Sequence, residues 1–227
     1  MSYRTGIPAL ALIAASWVVA ESAVAAPAGK LGFQVVRMEP LGSYPAYAAE
    51  TFGGAMNVAL ALPVAPEYLA FDFGAEFLNF NRADIRFQDP ISGLPFEQST
   101  SQSYLRAFAG LEAGWFRGPF VQPFVAAHLG VAEHNVRPVV SVPDDPALED
   151  EVMLGIDDGA KWTFMYDVAI GAQVALFEHV GLDAGVKFLQ SSAFDVRRGQ
   201  EFVSEDPSYF QIFVGIVYDF GLTRSIE

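Results

Sequence analysis

The sequence lacks cysteine and is poor in basic residues. The absence of Cys excludes disulfide frameworks and Cys-based zinc, iron–sulfur or thiol chemistry. Thirteen Lys and Arg stand against 27 Asp and Glu, a formal net charge of −14. This balance argues against a nucleic-acid partner, because phosphate backbones demand clusters of basic side chains. Charged residues make up 18% of the 227 residues and hydrophobic ones 52%, a composition that argues against disorder.

The chain begins with a segment typical of a secretory signal peptide. Arg4 is followed by an apolar run over residues 7–20, and Ala23-Val24-Ala25 supplies small residues for cleavage. The apolar run is shorter than the roughly 20 residues that a helical membrane span needs. We therefore expect residues 1–25 to be removed and residues 26–227 to form a single exported domain.

Alternation of apolar and polar residues with a period of two dominates the rest of the chain, whereas helix signals are weak. The alternation is clearest over 162–176, where Trp, Phe, Tyr, Val and Ile occupy one parity. Seven further segments behave in the same way: 31–36, 52–60, 69–78, 105–116, 121–132, 180–189 and 210–220. The pattern predicts eight strands. Short links follow the second, fourth and sixth of them, and long links cover 40–51, 81–103, 133–161 and 190–209.

Charged residues in these segments all fall on the parity opposite to the apolar one: Asp72, Glu76, Arg106, Glu112, Asp167, Asp183, Lys187 and Asp219. Two kinds of barrel fit this segregation, a soluble one with an apolar interior and a membrane one with its apolar side in lipid. The charged parity is rich in Gly and Ala and contains one Lys, whereas water-facing surfaces carry many Lys and Glu. The second kind is therefore favoured.

Aromatic residues cluster near the predicted strand ends, as in the girdles that anchor membrane barrels at both interfaces. Tyr104, Trp162, Tyr209 and Phe210 lie beside long links, and Trp115, Phe116, Tyr218 and Phe220 lie at the opposite rim. We predict a girdle that includes Trp115, Trp162, Tyr209, Tyr218 and Phe220.

These features resemble the small outer-membrane barrels of Gram-negative bacteria, the OmpA-type, OmpX-type and OmpW-type group. The last strand, 213–220, also looks like the C-terminal signal of that group, although Phe213 stands where a polar residue is preferred and residues 221–227 follow. The resemblance implies an all-β, eight-stranded antiparallel up-and-down barrel in the outer membrane, with short periplasmic turns and long extracellular loops. It also implies outer-membrane lipid, lipopolysaccharide and the barrel-assembly machinery as partners, and a monomeric state.

The charged parity would line the lumen, and two ion pairs are predicted there. Glu76 and Arg106 lie on adjacent strands, and Asp167 and Lys187 flank a short turn within about one register step of pairing. We interpret both as structural pairs in a plugged lumen; the alternative is a gated polar path. Six acids against two bases predict that some acids lie at the rims, contact water or are protonated.

The long link over 133–160 is strongly acidic. Carboxylates at Asp144, Asp145, Glu149, Asp150 and Glu151 could bind a divalent cation through oxygen. The spacing does not match an EF-hand loop, so a solvated acidic loop is favoured, and no metal site or cofactor is predicted.

Catalysis is not expected. Some barrels of this size modify lipid A with a His, a Ser and an acid, and the deacylase-like group carries a His-x-Ser pattern. None of His128, His134 and His179 has Ser at that spacing. A structural or surface-interaction role is therefore favoured. The alternative is a narrow channel for small apolar solutes, which the lumen parity at Phe108, Phe124, Gly185 and Gly215 would permit. A lipid A-modifying enzyme is a weaker third candidate.

Overall fold

The computed structural model describes residues 28–42, 48–88, 93, 95–116, 120–141, 160–198 and 201–221. The predicted signal peptide, 1–25, and the predicted cation-binding carboxylates, 144–151, lie outside the described residues. No helix within these described ranges is long and apolar enough to cross a membrane.

Ten antiparallel strands make up the described chain, and the eight predicted ones are confirmed. They are β1 (Gly29–Leu41), β2 (Thr51–Ala61), β3 (Leu69–Gln88), β4 (Pro95–Gly114), β5 (Val121–Ser141), β6 (Ala160–Ala175), β7 (Val180–Ser191), β8 (Phe194–Arg198), β9 (Glu201–Glu205) and β10 (Ser208–Phe220). Eight form a closed barrel in the order β1-β10-β7-β6-β5-β4-β3-β2, and β8 pairs with β9 as a separate hairpin.

The barrel closes where the first strand meets the last. β1 pairs with β10 from Gly29 opposite Phe220 to Leu41 opposite Ser208. Gly29 and Phe220, the links over 62–68 and 176–179, and the adjoining ends of β4 and β5 lie at one end of the barrel, which we call the terminus end. The opposite end, which carries the longer links and the β8–β9 hairpin, is the loop end.

Segments expected to be loops contain strand instead. β3 continues to Gln88 and pairs there with Pro95 of β4, so most of 81–103 is a hairpin. The link over 190–209 contains β8 and β9. The alternation of β3 breaks over 79–82 and resumes over 83–88, whereas the facing part of β4, 97–103, is polar on both parities. The break and the polar partner strand explain why the hydrophobic pattern did not predict this pairing of β3 with β4.

Three strands project beyond the others at the loop end. β2 follows β3 only as far as Leu78, and β6 follows β5 as far as Asn135. β4, in contrast, remains paired with β3 as far as Gln88 and with β5 as far as Ser141. The ends of β3, β4 and β5 therefore form a three-stranded sheet that stands above the barrel.

The two faces of the barrel differ as the alternation predicts. Large apolar side chains point outward and are exposed, including Phe52 (65%), Leu129 (73%) and Phe164 (75%). The eight charged residues of the opposite parity point inward, and none is more than 6% exposed. A closed sheet with an apolar exterior leaves no unpaired edge in lipid, which is what a membrane-spanning β-structure requires.

The aromatic girdle needs one correction. Trp162 at the loop end and Trp115 and Tyr218 at the terminus end are outward-facing and exposed, and Phe220 is half-buried. Tyr209, in contrast, is fully buried inside the barrel. It directly precedes the outward-facing Phe210, so its parity places it in the lumen. Proximity to a strand end was the wrong criterion for it, as it was for Tyr104 and Phe116, which are also buried.

A charge at the centre of the outer face should prevent stable insertion. Val168 is 61% exposed and lies midway along the outward row of β6. The substitution Val168→Arg should destabilise the folded barrel by about 2–4 kcal/mol, because the guanidinium would lie near the bilayer midplane. Heat-modifiable gel mobility in a membrane fraction measures this. The matched variant Val64→Arg, at an 85% exposed position in the 62–68 turn, should keep the folded band. Equal folded fractions for the two variants would contradict a lipid-facing β6.

Candidate functional site in the barrel lumen

A continuous chain of charged side chains crosses the middle of the lumen. The amide of Asn57 donates to Asp72 Oδ1 at 2.9 Å, and the other Asp72 oxygen lies 3.1 Å from Nε2 of His128. Nδ1 of His128 lies 2.8 Å from Asp167 Oδ1. These contacts connect β2, β3, β5 and β6 through the interior of the barrel.

Arg106 continues the chain from β4. Its guanidinium donates to Asp167 Oδ2 and, at 3.4 Å, to Glu76 Oε2. The ammonium of Lys187, on β7, donates to the second Glu76 oxygen at 2.5 Å. Because the Arg106, Glu76 and Asp167 side chains have no exposed surface, these contacts are shielded from water.

The signs of the charges alternate along this chain. Both ring nitrogens of His128 face carboxylate oxygens, which can only accept hydrogen bonds, so the contacts are satisfied by a doubly protonated imidazolium. In that state the order is Asp72, His128, Asp167, Arg106, Glu76 and Lys187, with three negative and three positive charges. The chain is electrically neutral, and each of its four inner charges lies between two groups of opposite sign.

The predicted ion pairs are partly corrected by this arrangement. The structure places Arg106 directly opposite Glu76 and in contact with it. Lys187, however, contacts Glu76 and not Asp167, which is held by Arg106 and His128. Lys187 lies opposite Ala169 on β6, two residues from Asp167. Its side chain instead extends across the lumen to Glu76 on β3. Adjacency along the chain therefore identified the wrong partner.

Two further cations in the lumen were missed. His128 was considered only as a possible catalytic group, and Lys30 directly precedes the segment in which alternation begins. Lys30 is on the inward parity of β1, binds Glu112 at 3.1 Å, and lies 4.1 Å from the centre of the Phe116 ring. The lumen thus holds four basic groups, counting His128, against six acids. The amides of Gln34 and Gln173 donate to the two remaining acids, Asp183 (2.6 Å) and Asp219 (3.5 Å).

Phenylalanine rings fill the space beside the charges. Phe108, Phe124 and Phe213 each lie directly across from a glycine on a neighbouring strand: Gly74, Gly171 and Gly185, respectively. A Cβ added at these glycines would come within 2.8, 2.6 and 2.5 Å of the facing ring. Each ring therefore occupies the volume that a side chain on the other strand would need. The lumen is therefore filled, and not open, at these glycines.

The terminus half of the lumen contains a small polar cavity. It has a volume of about 40 Å³ and is lined by groups that include Asp72, Glu112, His128, Asp183 and Lys187. That volume is enough for about three water molecules. In the described part of the chain, no three His, Asp or Glu residues are arranged to hold a metal ion.

The loop half of the lumen is closed by an apolar cluster. Phe80, Tyr104 and Tyr209 are in mutual contact, with ring centres 6.1–6.4 Å apart. The buried ring of His134 packs between Tyr104 and Phe194, and its Nδ1 lies 2.7 Å from the amide of Gln102. Phe194 belongs to the β8–β9 hairpin, so this hairpin contributes directly to the plug.

Loss of the central guanidinium should destabilise the barrel strongly. In Arg106→Gln, Asp167 and Glu76 would each lose a buried charged partner, and we expect a loss of about 3–5 kcal/mol of folding free energy. The control is Arg86→Gln, because Arg86 pairs with Glu97 at 2.9 Å but is 80% exposed; its loss should cost about 1 kcal/mol or less. Urea titration of the folded gel band in lipid vesicles measures both. Similar urea midpoints for the two variants would show that the buried charged chain contributes no more to stability than an exposed ion pair does.

Comparisons with known proteins identify the fold. No family model matches the sequence, and no curated protein matches it. Among solved structures, Neisserial surface protein A is similar over 85% of this chain and 97% of its own, with 12% identity and a TM-score of 0.54. The outer membrane proteins OprG from Pseudomonas aeruginosa (10% identity; 86% and 97% covered; TM-score 0.43) and AlkL (16%; 92% and 98%; 0.42) also match. Together with the closed sheet and its apolar exterior, the likeness to Neisserial surface protein A shows that this chain has the fold of the small eight-stranded outer-membrane β-barrels.

Proposed function

We propose that this protein is a non-conducting outer-membrane barrel, with a structural role in the envelope and a surface for interactions at its loop end. The observation that carries the proposal is the filled lumen. An apolar cluster occupies the loop half, the charged chain crosses the middle, and the terminus half holds a cavity of about 40 Å³. A solute would have to displace buried ion pairs to pass.

The loop end supports the second part of the proposal. The ends of β3, β4 and β5 remain paired beyond the part of the barrel that β2 and β6 reach, and β8 and β9 form a hairpin. Ion pairing and ring stacking reinforce the extension: Arg86 binds Glu97, and Phe87 stacks on Phe96 with ring centres 5.8 Å apart. With the termini in the periplasm, as the family resemblance implies, this sheet faces the outside of the cell. Outer-membrane lipid and lipopolysaccharide are the partners proposed for the barrel wall, with the assembly machinery acting during insertion and a monomer as the final state.

A narrow channel for small apolar solutes is the second candidate. The apolar lining of the loop half favours it, because such a surface would accept an apolar molecule if the hairpin carrying Phe194 moved aside. The inward glycines argue against it. The space at Gly185 is filled by Phe213, and the space at Gly215 by Asp183 and Gln34.

Conductance across planar bilayers separates these two functions. The wild-type barrel should show no steady conductance, since charged and aromatic side chains fill its cross-section. Heat-modifiable gel mobility of the same preparation shows that the barrel is folded and inserted, so that an absence of conductance is not an absence of protein. Steady conductance by the wild-type protein would favour the channel.

Catalysis on lipid A is not part of the proposed function. The lipid A composition of the membrane tests this. The imidazole of His128 is held between Asp72 and Asp167 deep in the lumen, where a lipid headgroup has no access. Mass spectra of lipid A from cells with and without the expressed protein should therefore be identical. A new lipid A species that disappears in His128→Asn would overturn the non-enzymatic assignment.

A further inference from the structure

Gly54 differs from every other strand glycine that the structure describes. At each of those others, an added Cβ would lie between 2.0 and 2.9 Å from its nearest neighbour, so the fold itself demands a glycine there. At Gly54 the nearest atom would be the carbonyl oxygen of Gln34, at 3.8 Å, which is ordinary contact. Its φ is also outside the left-handed region. Packing inside the barrel therefore does not require a glycine at this position, although glycine weakens a strand interior.

The missing side chain forms the floor of a groove on the outer face. Gly54 on β2 and Ala75 on β3 lie at its base, and Phe33, Met56, Phe77 and Leu105 form its walls. The groove has a volume of about 370 Å³, far larger than the cavity in the lumen. Phe33, Met56 and Phe77 are each about half exposed, so the walls protrude around the depression.

The position of the groove identifies the molecules that can reach it. It continues the apolar exterior that contacts lipid. Val35 is opposite Gly54, and the next outward position toward the loop end holds Arg37, opposite Phe52. Arg37 pairs with Glu50, and both side chains are partly exposed. A charged pair on the outer face marks the edge of the hydrocarbon region, so the groove lies just inside that edge, in the leaflet at the loop end.

We propose that the groove between β1 and β4 binds one acyl chain of a lipid from this leaflet as an ordered partner of the barrel. The groove is several times larger than the lumen cavity, which has room for about three water molecules. A segment of a fatty acyl chain therefore fits in it. The walls are apolar, which fits methylene groups and excludes a headgroup. A groove with protruding aromatic rims also fits a narrow chain better than the flat face of another barrel.

Lipid retention tests this proposal. The chain is inserted into vesicles of dipalmitoylphosphatidylglycerol and transferred to a mild detergent, and bound lipid is counted by native mass spectrometry. The wild-type protein should retain one lipid. In Gly54→Leu the new side chain occupies the groove. Lipid and detergent are as apolar as the groove, so retention depends on close packing of the chain against the walls. Loss of that packing should lower retention severalfold. The control is Ala184→Leu, at an exposed small residue on the outer face of β7, and it should retain the lipid.

Methionine methyl groups locate the bound chain. Met56 lines the groove, whereas Met38 and Met165 are buried in the lumen. In protein labelled at the methionine methyls, nuclear Overhauser contacts from the lipid methylenes should reach Met56 and not the other two, and Gly54→Leu should weaken them. Should Gly54→Leu fail to fold by gel mobility, Ala75→Leu fills the same groove from β3. Unchanged retention in a folded groove variant would overturn the proposal. So would a wild-type dimer that becomes monomeric in Gly54→Leu, because the groove would then hold a second copy of the chain.

Discussion

The structure depends on one constraint, which is that backbone N–H and C=O groups in lipid must be paired within the protein. The antiparallel pairing of β1 with β10 meets this constraint by closing the sheet. Closure with eight strands gives an interior just wide enough for side chains. A narrow lumen must then be packed like a protein core, although many of its residues are polar. The glycines opposite Phe108, Phe124 and Phe213 and the charged chain across the centre both follow from this restriction.

Burial of so much charge is tolerable because of how the charges are ordered. A buried ion pair is often no better than an apolar pair, since desolvation offsets much of the attraction. In this lumen Arg106 contacts two carboxylates and Glu76 contacts two cations, so the groups at the centre of the chain have more than one charged partner. The chain from Asn57 to Lys187 ties strands on opposite sides of the barrel, which pairing between neighbouring strands cannot do. Its contribution is to hold the cross-section in one arrangement.

Periodicity in the sequence was sufficient to identify the eight barrel strands and the face on which their charged side chains lie. The parity of Asp72, Glu76 and Lys187 placed them inside, and the structure has them there. Parity does not identify partners across the lumen, because these depend on strand tilt and register. For this reason Lys187 was assigned to Asp167 although it binds Glu76. The extensions of β3, β4 and β5 were missed because the alternation of β3 breaks over 79–82 and the facing part of β4, 97–103, is polar throughout. Parity does place Gly54 on the outer face, but the groove was not anticipated because its shape depends on side chains from four strands.

The pairing of each lumenal phenylalanine with a glycine has a consequence for how this chain can vary. The ring of Phe213 occupies the volume that a side chain at residue 185 would need. A change in the size of one residue therefore requires a compensating change in the other. A bulkier group at the glycine requires a smaller one at the ring, and an exchange of the two keeps the total unchanged. Related chains should therefore show covariation at 74 with 108, 124 with 171, and 185 with 213. The total side-chain volume in the lumen is then preserved, while the large side chain moves from one strand to its neighbour.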